Sequence, residues 1–353
     1  MRIAIVNDLK SAVKGLREIV LSAPGHEVCW VAHNGAEAVR KCAADKPDLI
    51  LMDVIMPEMD GVETTRRIMS ESPCPILVVT PTVDGNAAKV FEAMGHGALD
   101  AINTPARGND PLARSSREAL LKKIQMIGKL GGVTPKAPAP KPAGQIPMEQ
   151  VPPLIVIGAS TGGPKALAEV LSNLPADLDA AIVIVQHVDV AFSAALADWL
   201  DQQTPLRVKL APEGGRPRKG TVFVAGTGEH LVLTPDLRFS YTHEPLSSNY
   251  RPSVDTFFES VADHWPEKCV AVLLTGMGRD GAEGLAALRR SGWHTMAQDE
   301  ATSIVYGMPK AAKELGSATE ILPIAKIALA ILRFLRKSSV GTSRNKLMAS
   351  KIE

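Results

Sequence analysis

Cysteine is scarce in this sequence and falls in no recognisable pattern. Cys29, Cys42, Cys74 and Cys269 are the four in 353 residues, and they form no CxxC pair. Zinc and dithiol redox chemistry are therefore poor readings, and reduced thiols in a cytoplasm are expected. His26, Cys29 and His33 lie close together but flank an expected strand, so no metal site is read there. Net charge is nearly absent too: 39 Lys and Arg against 38 Asp and Glu leave +1. That gives no electrostatic case for nucleic acid or a membrane surface as a partner. Apolar runs long enough to span a bilayer are missing, and Met1 leads directly into a strand pattern rather than a signal peptide. The remaining composition, 45% hydrophobic and 22% charged, is ordinary for a globular chain with room for about two domains.

The first domain is expected over residues 1–130. Apolar runs at 3–6, 28–31, 49–52, 76–79 and 99–102 read as strands. Helical patterns at 13–20, 36–43, 62–69, 87–94 and 111–130 alternate with them. Strands alternating with helices make a doubly wound parallel sheet. Chemistry in such sheets sits beyond the carboxyl ends of the strands. There Asp8 follows the first strand, Asp53 ends the third and Thr80 ends the fourth. Converging carboxylates suit a hard divalent cation, with Mg²⁺ the best match, although strand-end aspartates also serve simply as helix caps.

A Pro/Ala/Lys-rich run over 131–153 reads as a linker. The second domain is expected over 154–336. Its strands fall at 154–157, 181–185, 221–224 and 270–274, and its helices at 165–174, 193–202, 254–264 and 282–290. An antiparallel hairpin is expected over 231–241. The polar, basic residues 337–353 read as a disordered tail. The fold class is thus α/β, with two doubly wound parallel-sheet domains, the second carrying an antiparallel hairpin.

The second domain opens on Gly158-Ala159-Ser160-Thr161-Gly162-Gly163 between a strand and a helix. Such a turn can cradle a phosphate or present a nucleophile. His187 follows the strand at 181–185, and Asp280 follows the strand at 270–274 through Thr275-Gly276-Met277-Gly278-Arg279. If these strands are parallel, Ser160, His187 and Asp280 share one sheet edge, as the parts of an activated-hydroxyl hydrolase. Each residue alone has a bland alternative as a cap, a structural histidine or a turn. A dinucleotide site competes weakly, because the turn is not G-x-G-x-x-G and no acidic residue closes the next strand.

Longer motifs carry two resemblances. Leu51-Met52-Asp53-Val54-Ile55-Met56-Pro57-Glu58-Met59-Asp60-Gly61 resembles the phosphoacceptor segment of response-regulator receiver domains. This implies that Asp53 accepts a phosphoryl group from a histidine kinase. It also implies that Asp8, Asp53 and the Ile55 carbonyl hold Mg²⁺, and that Thr80 contacts the phosphoryl oxygens. The chain departs from the receiver pattern at Asn7-Asp8, where an acidic pair is usual. It departs again at Thr104, where a lysine is usual, and at Ala101, an aromatic switch position.

The glycine turn, Gln186-His187, Arg251-Pro252-Ser253-Val254-Asp255, Leu274-Thr275-Gly276-Met277-Gly278-Arg279-Asp280-Gly281 and Gln298-Asp299-Glu300-Ala301-Thr302 together resemble the catalytic domain of the CheB chemotaxis methylesterases. The resemblance implies hydrolysis of glutamate γ-methyl esters, and deamidation of glutamines, on methyl-accepting chemoreceptors. Ser160, His187 and Asp280 would be the catalytic triad, with Thr161 and Met277 assisting the histidine and the oxyanion. No cofactor is expected for this step. Asn7-Asp8, the segment 93–100 and Thr104-Pro105 look most like the WspF subgroup. The segment 188–193 departs from the proline- and glycine-containing loop usual after the histidine. A receiver covering the Ser160 edge until Asp53 is phosphorylated is the regulation such a pairing implies. The competing reading is a phosphate-accepting regulator with a vestigial hydrolase site.

Overall fold

The structure is a computed structural model that describes residues 1–81, 87–106, 108, 111–128, 151–246, 248 and 250–349. The linker expected over 131–153 lies outside them as far as residue 150. The chain forms two compact units, Met1–Lys136 and Ala137–Glu353.

In the first unit β1 (Arg2–Val6), β2 (Glu27–Ala32), β3 (Leu49–Met52), β4 (Ile76–Thr80) and β5 (Asp100–Asn103) form an all-parallel sheet in the order β2-β1-β3-β4-β5. Helices α1 (Lys10–Ser22), α2 (Gly35–Ala44), α3 (Gly61–Glu71), α4 (Ala87–Gly95) and α5 (Pro111–Gly128) alternate with the strands. Strands β3 and β4 are buried along their whole length. Strands covered on both faces are continuous apolar runs, which is why the sequence pattern marked them. Asn34 and Asp60 cap α2 and α3 by accepting from the backbone N–H three residues on. Val6 pairs with Met52, which brings the carboxyl ends of β1 and β3 together.

The second unit holds a seven-stranded, all-parallel sheet in the order β14-β13-β12-β6-β7-β9-β8. Its strands are β6 (Leu154–Ala159), β7 (Ala181–Gln186), β8 (Arg207–Leu210), β9 (Thr221–Val224), β12 (Val270–Leu273), β13 (His294–Gln298) and β14 (Glu320–Leu322). The hairpin of β10 (His230–Leu233) and β11 (Phe239–Thr242) forms a separate antiparallel pair. Helices α6 (Gly163–Ser172), α7 (Val190–Gln203), α8 (Val254–His264), α9 (Ala282–Arg290), α10 (Met308–Glu314) and α11 (Ile324–Ala349) complete the unit. Strand β6 lies between β12 and β7, so the topological switch point, where α/β sheets form their clefts, is the carboxyl end of β6.

Two expectations need correcting. The sheet is wider than the apolar runs indicated, because β8, β13 and β14 have no continuous run. Strand β8 alternates exposed and buried positions, β14 is three residues long at the sheet edge, and β13 reads His-Thr-Met-Ala-Gln. The tail expected from Lys337 is instead helical as far as Ala349. No proline follows Pro323 to stop α11, and Gly341 is the one glycine in its path.

Candidate active site

Gly158 pairs with Leu273 and Ala159 with Gln186, so the three strands end side by side. The His187 N–H donates to Ala159 O at 3.0 Å, and the Ser160 N–H donates to Thr275 O at 3.1 Å. Ladder bonds thus continue past the strand ends and fix the loops that carry Ser160, His187 and Asp280. Gly162, at φ +77, makes the tight turn into α6, where a side chain would also press on Ile304.

His187 Nε2 lies 2.6 Å from Asp280 Oδ2. With that N–H given to the carboxylate, Nδ1 keeps the lone pair. Nδ1 is buried and has no hydrogen-bond partner, so the Ser160 hydroxyl is not yet engaged; such contacts often close only around substrate. The imidazole stacks flat on Tyr250, with ring centroids 4.5 Å apart and planes 4° from parallel. Tyr250 therefore limits how the base can tilt.

Asp280 is buried and fully bonded. Oδ2 also accepts from Val254 N–H at 2.6 Å, and Oδ1 accepts from Ser253 Oγ at 2.8 Å and Asp255 N–H at 3.2 Å. The two N–H groups belong to the first turn of α8, so Asp280 sits at a helix N-terminus, which favours its charge. Burial works to raise its pKa, but the bond and charge of His187, then the Val254 N–H and Ser253 hydroxyl, outweigh it and hold the carboxyl below its usual range. Neighbouring Asp255 is pushed up to about 8, by burial first and the Asp280 charge second, so it is protonated at neutral pH. Its Oδ1 accepts from the Gly284 N–H.

The turn at 275–278 passes directly beside Ser160. A Cβ added to Gly276 would lie 2.8 Å from the Ser160 Cβ and overlap Met308 Sδ. Among the hydrogen bonds of the described residues, none uses the N–H of Thr161 or Met277. These two donors flank Ser160 in the chain and across the cleft. Buried Thr275 ties the loops together. Its N–H donates to Gln298 Oε1 at 2.8 Å, its hydroxyl lies 3.0 Å from Thr161 O, and it accepts from the Val305 N–H. Gln186 Nε2 donates to Ser160 O at 2.9 Å.

The structure brings Ser160, Thr161, His187, Met277 and Asp280 to one edge. Tyr250, Thr275 and His230 were not singled out from sequence. No local signal marks Tyr250 or His230, since their neighbours in space come from other strands and loops. For Ser253 there was a signal: a serine opening a helical stretch is an N-cap signature, and its side chain accepts from the Thr256 N–H.

The first unit assembles the other expected group. Asp53 is 3% exposed; Asn7 Nδ2 donates to its Oδ2 at 2.7 Å, and the Ile55 N–H donates to its Oδ1 at 3.1 Å. Its pKa is raised to about 6, by burial first and, among the charges, by Asp8. These carboxylates are therefore close enough to repel, as oxygen donors meant for a cation would be. Ile55 itself is exposed. The Thr80 and Thr104 hydroxyl oxygens are buried without partners, and the Thr104 N–H donates to Thr80 O at 2.8 Å. No cluster of three or more His, Cys, Asp or Glu side chains able to hold a metal occurs among the described residues. The oxygen donors seen at Asp53 are thus two carboxylates, sparse but of the right chemistry for a hard cation. None of the described helices is long and apolar enough to cross a membrane.

Comparison with known proteins finds a family for each unit. The family model "CheB methylesterase" matches residues 155–331, and "Response regulator receiver domain" matches residues 3–114. A protein-glutamate methylesterase/protein-glutamine glutaminase 1 of Burkholderia lata is 55% identical over 333 residues, covering 93% of this chain and 97% of the relative. A protein-glutamate methylesterase/protein-glutamine glutaminase 2 of Cupriavidus metallidurans is 54% identical, covering 93% of this chain and 96% of the relative. The Thermotoga maritima CheB methylesterase catalytic domain superposes with a TM-score of 0.50 at 37% identity, covering 52% of this chain and 98% of that domain. With its strand-end Ser, His and Asp, and an aspartate-centred receiver ahead of them, the chain belongs to the CheB methylesterase family.

Proposed function

We propose that the chain is a protein-glutamate methylesterase and protein-glutamine deamidase acting on methyl-accepting chemoreceptors through Ser160, His187 and Asp280. The observation that carries this reading is the convergence of the three residues at the ends of β6, β7 and β12, with the 2.6 Å His187–Asp280 bond already formed. Ser160 Oγ attacks the γ-carbonyl of a methylated glutamate while His187 Nδ1 takes the hydroxyl proton. The Thr161 and Met277 N–H groups, which make no other hydrogen bond among the described residues, would receive the oxyanion, a contribution of ~10²–10³ in rate for one donor. The proton passes to the leaving methoxide and methanol departs. Water, deprotonated by His187, then releases the receptor carboxylate and restores Ser160. On a glutamine the leaving group is ammonia. Asp280 holds the imidazole tautomer and balances the imidazolium.

The receiver is proposed to control this chemistry through phosphorylation of Asp53 by a chemotaxis-type histidine kinase in the cytoplasm. Asp8, Asp53 and the Ile55 carbonyl would hold Mg²⁺, which when bound neutralises charge on the incoming phosphoryl group. The buried, unpartnered Thr80 hydroxyl supports a phosphoryl contact. The resemblance of Asn7-Asp8, the segment 93–100 and Thr104-Pro105 to the WspF subgroup supports a pathway of the Wsp-type chemosensory kind. A fluorophosphonate probe tests the esterase reading. One label per chain, on Ser160 and lost in Ser160→Ala, is expected; labelling elsewhere, or none, would contradict it.

A further inference from the structure

The motif Arg251-Pro252-Ser253-Val254-Asp255 has no part in the chemistry described so far, yet it builds the seat of Asp280. Every hydrogen bond to that carboxylate apart from the one from His187 comes from it: Ser253 Oγ and Asp255 N–H on Oδ1, and Val254 N–H on Oδ2. Ser253 is itself held on two sides. Its N–H donates to His230 Nδ1 at 3.0 Å, and its Oγ accepts from the Thr256 N–H at 3.2 Å. Ser253 is 2% exposed and His230 0%. Because Nδ1 accepts, the His230 proton must sit on Nε2. Burial lowers the His230 pKa and keeps the ring in this neutral form. A protonated ring would point an N–H at the Ser253 N–H and push the loop away.

Two backbone donors at a helix N-terminus hold the carboxylate, one on each oxygen. The Ser253 hydroxyl adds a side-chain donor, which with them fixes the rotation of the carboxylate and so the direction of the oxygen that faces His187. We propose that Ser253 is a positioning residue for the esterase reaction, and that His230, reaching over from the β10–β11 hairpin, is the acceptor that keeps Ser253 in place. The inference rests on the Ser–His–Asp reading and extends it by one layer: His230 holds Ser253, Ser253 holds Asp280, and Asp280 holds the base. It gives the fully buried histidine of the hairpin a role.

The test uses the full chain with Ser253→Ala, His230→Leu and His230→Asn, the last keeping an acceptor near the Nδ1 position. Methanol release from a glutamyl methyl ester peptide gives kcat and KM, and ¹⁵N-histidine NMR follows the His187 Nε2 proton bonded to Asp280. Ser253→Ala and His230→Leu are expected to lower kcat roughly ten- to hundredfold, the loss of one hydrogen bond to a charged group. KM should stay unchanged, and the downfield Nε2 proton should move upfield or broaden. His230→Asn should stay near wild type on both readouts. Wild-type kcat in Ser253→Ala, or a lowered kcat with the Nε2 proton unmoved, would overturn the positioning role. If the wild-type chain releases no methanol, the hydrolase reading fails by itself. The Nε2 signal still reports whether Ser253 governs the His187–Asp280 pair.

Discussion

Replacing Asp53 by asparagine should stabilise the first unit at neutral pH while removing the proposed phosphoacceptor. Asp53 is almost fully buried, and its pKa is raised from 3.8 to about 6, mainly by that burial. Each pH unit between the two values is worth ~1.36 kcal/mol, so keeping the group ionised in the fold costs about 3 kcal/mol above pH 6. Asparagine offers one side-chain oxygen where Asp53 offers two. One of the bonds from Asn7 Nδ2 and the Ile55 N–H is therefore lost, at about 1 kcal/mol. The net gain expected is about 2 kcal/mol. The sign follows from proton binding. Between pH ~4 and ~6 the folded chain holds the proton more tightly than the unfolded chain, so wild-type stability falls as pH rises through that window. Below pH ~4 both states are protonated, and the variant should be equal or slightly weaker. Urea unfolding read by hydrogen exchange of peptides from β1 and β3 isolates this unit. Mg²⁺ should stabilise the wild type, by about 2.7 kcal/mol at a hundred times its dissociation constant, and leave Asp53→Asn unchanged. A variant less stable than wild type at pH 7.5, or a difference that does not shrink toward pH 4, would refute the reasoning.

Other expectations are more local. Asp280→Asn should lower kcat by roughly 10³–10⁴, because an amide N–H facing His187 Nε2 reverses the tautomer; steady-state methanol release reads this directly. In Gly276→Ala the new methyl group meets the Ser160 Cβ and Met308. Displacing the nucleophile by about 1 Å should cost roughly 10² in kcat, and the rate of fluorophosphonate labelling should fall with it. Asp255→Asn should be more stable than wild type at pH 8, with the difference fading toward pH 4. The wild-type carboxyl, with its pKa pushed up to about 8, loses stability as pH rises across that window; denaturant midpoints across the range check it.

Much of the fold was legible because buried parallel strands announce themselves as apolar runs. Strands β3, β4, β6, β7 and β12 are buried along their length, and each was placed to within a residue or two. Strands β13 and β14 were not legible, because a strand fitted among covering helices can use Thr, Gln and Glu when those side chains find partners. Thr295 Oγ1 bonding Ser317 O and Gln298 Oε1 taking the Thr275 N–H are examples. The convergence of Ser160, His187 and Asp280 was legible because Ser160 and His187 directly follow strands that the pattern located, and Asp280 follows a third through a short glycine-rich turn. Its support was not. His230 lies 23 residues before Ser253, and Ser253 lies 27 before Asp280; only tertiary packing of the hairpin against α8 makes them neighbours. The same holds for Tyr250 stacked on His187.

Methanol release from methylated chemoreceptor membranes, by wild type and Ser160→Ala side by side, probes the hydrolase most directly. Wild type should release methanol, and Ser160→Ala should fall to the background of membranes alone, with unfolding behaviour unchanged. Equal release by the two proteins would show that the ester is not cleaved through Ser160, and the strand-end triad would then need another role.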